Sequence, residues 1–250
     1  MPENDLKNLA DRAADAIRLC RLRNVPKFVG FLSPEQAAYL KNAFSAEPVV
    51  FFGGAKGCER TLLGALPSYV SQPEQAFPIT LLCFEYPAGF TLSHRDVLGT
   101  LMAQGIVRAG VGDILFAPGR AYAFVLSELG NYLLQQVQKI GGVGVKPRVA
   151  NAQELALLQQ SAPKKELSFT VASLRLDAVL SGLLNAGRAA AEGLIADGRV
   201  CVNSFAVQKA TKKVTAGDVI TVRGAGKFKI ISAGGATRKG RERVLAEKYL

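Results

Sequence analysis

The stretch from Phe169 to Lys229 constrains this chain more than any other. Leu174, Leu176, Val179, Leu180, Leu183 and Leu184 recur there at helical spacing. A second short helix is expected from about Arg188, with Ala189, Ala190, Gly193, Leu194 and Ile195 as its buried side, and Asp197-Gly198 stops it. Val200 and Val202 then alternate as a strand, Asn203-Ser204 turns the chain back, and Gly217-Asp218 turns it again into Val219, Ile220 and Val222. The pattern predicts a small module of two helices packed on a few short strands.

The basic residues of this module are patterned too. Arg175 opens the first helix and Arg188 the second. A cation at a helix N-terminus opposes the macrodipole, at a cost of a few tenths of a kcal/mol, so a chain that accepts it twice is expected to use the charge. Lys209, Lys212, Lys213, Arg223, Lys227 and Lys229 fall on nearby turns and strand ends. They form either a solvated basic face or a surface that contacts phosphates. The net charge of +11 is concentrated here: residues 164–250 hold 16 Lys/Arg against 7 Asp/Glu, and the rest of the chain 15 against 13. That asymmetry points to an anionic partner, nucleic acid or membrane surface, engaged by the C-terminal third.

Arg175-Leu176-Asp177, Ala190, Leu194-Ile195, Gly198, Val200, Val202-Asn203, Lys209, Val214, Gly217-Asp218 and Val222-Arg223-Gly224 together resemble the S4 domain, a small RNA-binding module. Two positions depart from it. Gly187 replaces the usual Ser before the second-helix Arg, and Ser204 the usual Gly after Val-Asn. A Gly N-cap costs little, and neither change removes a basic contact.

Upstream, Leu6, Leu9, Ala13, Ala16, Ile17 and Cys20 form one stripe of an amphipathic helix. Ser33-Pro34-Glu35-Gln36 reads as N-cap, first residue and first turn of another. Val49 to Phe52 is a short strand, and the glycines at 53, 54 and 57 follow it. They lack the Gly-x-x-x-x-Gly-Lys-Ser/Thr of a phosphate loop and read as a turn needing positive φ. Residues 76–150 read strand, helix, strand, strand, helix, strand, the ferredoxin-like order shared by RNA-recognition modules. The third strand, Arg120-Ala-Tyr122-Ala-Phe124-Val, approximates the aromatic RNP1 pattern without its Gly and last aromatic, and Phe84 is the only aromatic partner on the first strand. Either Tyr122 and Phe124 stack bases or they pack on a neighbouring domain; the missing Gly and aromatic weigh towards packing.

Catalytic and metal motifs are incomplete. His94-Arg95-Asp96 lacks the Asn five places on and the partner motifs of a kinase. No Ser or Cys is evidently paired with His94 for nucleophilic work. His94 and Arg95, at a helix start, instead suit phosphate contact. The four cysteines, 20, 58, 83 and 201, have no Cys-x-x-Cys spacing and suit a reducing cytosol without zinc. No cofactor is expected. The charged N-terminus has no apolar signal core, and no run of 18 apolar residues spans a membrane.

Taken together, Gly53-Gly54, Glu59-Arg60, Ser93-His94-Arg95-Asp96-x-Leu98-Gly99, Gly105-Ile106-x-Arg108, Gly112-Asp113-Ile114 and the C-terminal S4 pattern are similar to the YlmH family over nearly the whole chain. The resemblance implies a bacterial, cytoplasmic protein that binds rRNA and tRNA on the large ribosomal subunit, with a role in rescuing stalled nascent chains and a cell-division gene neighbourhood. The fold class expected is α+β in three small domains: a mixed α/β N-terminal domain (1–75), an RRM-like middle domain (76–150), a linker (151–168) and an S4 (αL-type) domain (169–250). Its tail, with Arg238, Lys239, Arg241 and Arg243, reads as a basic arm that orders on RNA. The expected protein is a monomeric binder rather than an enzyme. RNA contacts are expected at Arg175, Arg188, Lys209, Lys212, Lys213, Arg223, Lys227 and Lys229, with Arg60, His94 and Arg95 as helpers. Alternatives are an RNA-modifying enzyme such as a pseudouridine synthase, with Asp96 or Asp177 at its centre, and a cell-division adaptor.

Overall fold

The computed structural model describes residues 3–151, 153–156, 164–203, 205–236 and 240–249. The chain divides into two compact units, Met1–Gln160 and Ser161–Leu250, so the two segments read as N-terminal and middle domains share one unit.

The first unit is layered. Helix α1 (Glu3–Arg23) buries Leu9, Ala13, Ala16, Ile17 and Cys20, the stripe that the 3.6-residue period predicts. Helix α2 (Pro34–Ala43) starts at Ser33 with a full capping box closed by Gln36. Both helices pack on a three-stranded antiparallel sheet of β1 (Lys27–Leu32), β2 (Val49–Phe52) and β3 (Thr61–Ala65), in the order β1-β3-β2. Strand β3 is not among the elements that the sequence pattern predicts. It is central, and Leu62 and Leu63 are both wholly buried, one on each face, so no apolar–polar alternation marks it.

The second sheet contains β4 (Ile79–Glu85), β5 (Val111–Ala117) and β6 (Arg120–Leu126). Helices α3 (His94–Ala103) and α4 (Ser127–Gln136) cover one face. The segment expected as one last strand, Val143–Val149, breaks at Val145 into β8 (Val143–Gly144), which forms a small hairpin with β7 (Lys139–Ile140) across Gly141 and Gly142, and β9 (Lys146–Val149). The order β5-β6-β4-β9, antiparallel throughout, is ferredoxin-like.

Alternation along β6 sends Ala121, Ala123 and Val125 to the helices and Tyr122 and Phe124 to the opposite face. Phe84 of β4 lies on the helix side, so it is no partner for those rings. The face carrying Phe124 is covered by the first sheet: Phe124 is 1% exposed and shares a cluster with Phe31, Leu62, Phe77 and Phe52. Two glycines permit this approach. A Cβ on Gly54 would lie 2.4 Å from the Phe124 ring, and one on Gly112 2.6 Å from the Phe31 ring. Tyr122 is 2% exposed, packs on Cys83, and donates its hydroxyl to Glu154 at 3.3 Å. The RNP1-like face is therefore core.

In the second unit, β10 (Lys164–Val171), α5 (Leu176–Leu184), α6 (Arg188–Ala196), β11 (Val200–Val202), β12 (Phe205–Ala206), β13 (Val219–Val222), β14 (Gly226–Ala236) and β15 (Glu242–Tyr249) form one antiparallel sheet, ordered β10-β15-β14-β13-β11-β12, with both helices packed on it. Three expectations change here. Residues 164–168, read as linker, are strand, because Leu167 and Phe169 alternate onto the core beside Ala246 and Val244. The tail is no arm: β15 pairs with both β10 and β14 and buries Val244 and Ala246, while Arg238 and Lys239 lie outside the described residues. The buried side of α6 is Ala191 and Ile195 with Leu194 half-buried; Ala189, Ala190 and Gly193 face outward.

Replacing Phe124 or Tyr122 with Ala removes buried aromatic volume and should lower unfolding stability by about 3–5 kcal/mol. RNA affinity of the protein that remains folded should be unchanged. Filter binding alongside urea unfolding checks both; lost affinity at unchanged stability would restore the base-stacking reading.

Candidate nucleic-acid interface

Asp177 is wholly inaccessible, the one buried charged side chain among the described residues. It lies in the first turn of α5, where a carboxylate suits the helix dipole. Its Oδ1 accepts from the Ala178 amide at 2.8 Å and from Arg175 Nε at 3.1 Å. Its Oδ2 accepts from Arg175 Nη2 at 2.8 Å and from Arg188 Nη2 and Nε at 2.8 and 3.2 Å. Burial alone would raise this carboxyl; the hydrogen bonds from Arg175, Arg188 and Ala178 outweigh it and hold Asp177 well below the usual carboxylate range. The two cations at helix starts thus have a local cause: each is anchored by the buried carboxylate, with side chains still 40% and 53% exposed. From sequence, Asp177 stands out only as a catalytic candidate. The signal for its anchoring role is Arg175 two residues before it, with Arg188 opening the next helix.

The same helix start holds a loop. Leu176 N–H donates to Lys212 O at 2.8 Å, Asp177 N–H to Ala210 O at 3.1 Å, and Val214 N–H to Leu174 O at 2.8 Å. Arg175 and Lys213 form an antiparallel bridge. Lys209 and Lys213 are exposed on this loop and Lys212 half-buried. Five of the expected residues, Arg175, Arg188, Lys209, Lys212 and Lys213, therefore gather around one helix N-terminus. The carboxylates among them are Asp177 and Glu192, the latter 3.6 Å from Arg188.

The other three basic residues stand elsewhere. Phe228 and Ile230 of β14 enter the core against α5, so Lys227 and Lys229 point from the opposite face of the sheet. Lys229 there stands across from Glu247, which pairs in turn with Glu166. Arg223 lies on the β13–β14 turn, and its carbonyl accepts from Arg199 at 2.9 Å. Asn203, with φ 52°, links the hairpins by donating to Asp218 at 2.7 Å and accepting from Val219 N–H at 2.9 Å.

His94 and Arg95 belong to the first unit, in the first turn of α3, which starts with a capping box between Ser93 and Asp96. Both are exposed. Burial and then Arg108 lower the His94 pKa, against Asp113, which favours the neutral ring. Arg60 is structural: its Nε donates to Val111 O at 3.0 Å and its Nη2 to Phe31 O at 2.7 Å and Arg108 O at 3.2 Å. Asp113 accepts from the amides of Glu59 and Arg60 at 2.7 and 2.9 Å. Among the described residues no three His, Cys, Asp or Glu side chains gather to hold a metal, and no helix is long and apolar enough to cross a membrane.

Residues 73–154 match a family model described as "Putative RNA-binding domain in YlmH", and residues 174–220 match the S4 domain. The chain joins a YlmH-type RNA-binding domain to an S4 domain. The S4 match contains Asp177 and all five clustered cations and ends before Arg223, Lys227 and Lys229. Over 250 residues, 98% of this chain and 95% of the relative, it is 27% identical to the ribosome-associated protein quality control protein P2 of Bacillus subtilis strain 168. Among solved structures, the cell division protein ylmH of Streptococcus pneumoniae is similar in fold, with a TM-score of 0.51 and 23% identity over 62% of this chain and 95% of that one.

Stability drawn from a depressed carboxylate is present above its unfolded value, near pH 3.9, and is lost as pH falls through the folded value. The S4 unit should therefore weaken progressively below about pH 4, and Asp177→Asn should flatten that acid limb. Arg188→Ala, which strips a charged hydrogen-bond partner from a buried group, should cost about 1.5–3 kcal/mol near neutrality. Urea midpoints across pH measure both.

Proposed function

We propose that this protein binds structured RNA, rRNA and tRNA on the large ribosomal subunit, through the S4 face built on Asp177, and acts there in the rescue of stalled nascent chains. The observation that carries the reading is the anchoring of two half-exposed guanidiniums on one buried carboxylate, flanked by the lysine loop 209–213. Fixed guanidiniums lose little entropy on meeting phosphate oxygens, and Lys and Arg contacts position a structured RNA by its backbone rather than its bases. The Bacillus subtilis relative, named for ribosome-associated quality control and aligned end to end, supports the ribosomal setting. That setting is cytoplasmic, and a monomer suffices for it.

The protein acts by binding rather than catalysis. Asp177, the Asp that a pseudouridine synthase reading needs, accepts five hydrogen bonds and has no accessible surface. Asp96 is engaged by Ser93 at the start of α3.

The test must avoid Arg188, whose loss disturbs the fold. Lys209→Glu combined with Lys213→Glu should leave stability unchanged, weaken binding to rRNA fragments of any sequence, and flatten the log–log salt slope by about one unit per phosphate contact removed. Unchanged affinity and slope would remove the S4 face from the function. Purified protein incubated with rRNA and tRNA should leave every uridine unmodified; pseudouridine that vanishes in Asp96→Asn would make it an enzyme.

A further inference from the structure

We propose that the first unit carries a second anion site, a pocket between α1, β1 and the start of α2 that binds a phosphate group. Arg12, Ser33, Gln36, Arg60 and Arg108 supply its polar lining, with the β1 backbone as floor. At about 230 Å³ it falls below the 300–1,000 Å³ of drug-sized ligands and fits a phosphate with at most its sugar.

The lining offers donors. Arg60 spends Nε and Nη2 on the Val111, Phe31 and Arg108 carbonyls, which removes acceptors from the floor; among the described residues its Nη1 has no acceptor. Among the described residues Arg108 uses only Nη1, on the carbonyls of Val111 and Gly112. Arg12 is exposed and has no partner among the described residues. In the capping box, Ser33 Oγ accepts from Gln36 N–H and Gln36 Oε1 from Ser33 N–H, so the hydroxyl proton and the side-chain NH2 stay available. The N-terminus of the ten-residue α2 adds its partial positive charge.

Among the described residues no carboxylate lines the pocket. Asp113, the acid whose charge acts on both Arg60 and Arg108, spends its oxygens on two backbone amides. Burial and then Arg108 push Arg60 down to about 10, which leaves it charged at neutral pH. Two half-buried guanidiniums that repel one another, with a third beside them, make a site that an anion relieves. Neither Arg12 nor Arg108 belongs to the S4 surface, so this site stands independently of the function proposed above.

The test uses the full chain, labelled with 15N and titrated with inorganic phosphate against chloride at matched ionic strength. Saturable shifts are expected at the Arg60 and Arg108 Nε–H signals and the Gln36 amide. Arg12→Glu should weaken them by about tenfold or more, because it replaces a charge-assisted hydrogen bond with repulsion, with the melting temperature unchanged. Linear, non-saturating shifts, equal shifts with chloride, or full affinity in Arg12→Glu would overturn the site. Repeating the titration in Lys209→Glu/Lys213→Glu with a 5′-phosphorylated ribo-oligonucleotide separates the sources. Tighter binding than inorganic phosphate assigns the pocket to an RNA backbone, and equal binding to a free phosphate. Because this background lacks Lys209 and Lys213 and the signals read belong to the pocket, failure of the S4 reading leaves the pocket result intact.

Discussion

A carboxylate without access to water must be compensated, and the S4 unit is built around that requirement. Asp177 takes two guanidiniums and an amide, and in return fixes both guanidiniums where they remain half-exposed. Desolvating an acid is expensive when it stands alone, so both arginines and the start of α5 are held together. The 209–213 loop hangs on the same helix start through backbone bonds. Burial of one acid thus shapes the cationic surface outside it.

The first unit answers a different constraint. Its second sheet has the strand order of an RNA-recognition module, yet Phe124 and Tyr122 lie at 1% and 2% exposure beneath other groups. A ferredoxin-like sheet with helices on one face leaves the other to be covered or used. Here the N-terminal sheet covers it, with Arg60 bonded to carbonyls on both sides of the joint. Topology and function separate at this point. Gly54, Arg60, Arg108, Gly112 and Asp113, which carry much of the family resemblance, serve this joint.

What can be read from the residues alone is local. The α1 stripe, the Ser33 cap, the alternation in β6 and the helices of the S4 unit depend on spacings of two to four residues, and the structure has them. The misreadings involve distance or crowding. Strand β3 has no period because its two central leucines are buried on opposite faces. The tail is glycine-rich and basic, and only its pairing with β10, far back in the chain, makes it a strand. Arg188 meets Asp177 across a turn between helices, an approach that helix periodicity does not encode. Lys227 and Lys229 group with the other cations by proximity in the chain, but the pleat sends them through the sheet to its other face.

The pairing of β10 with β15 also bears on how the unit forms. Lys164 lies opposite Tyr249, while α5, α6, β11 and β12 follow one another by short connections and a tight turn joins β13 to β14. Loop-closure entropy delays contacts between distant residues. The helices and short strands, including the arginine clamp, can assemble from near neighbours. The β10–β15 edge must wait for the two ends of the unit to meet. The arginine clamp thereby belongs to the quickly closing part of the topology, and the long-range seam closes after it.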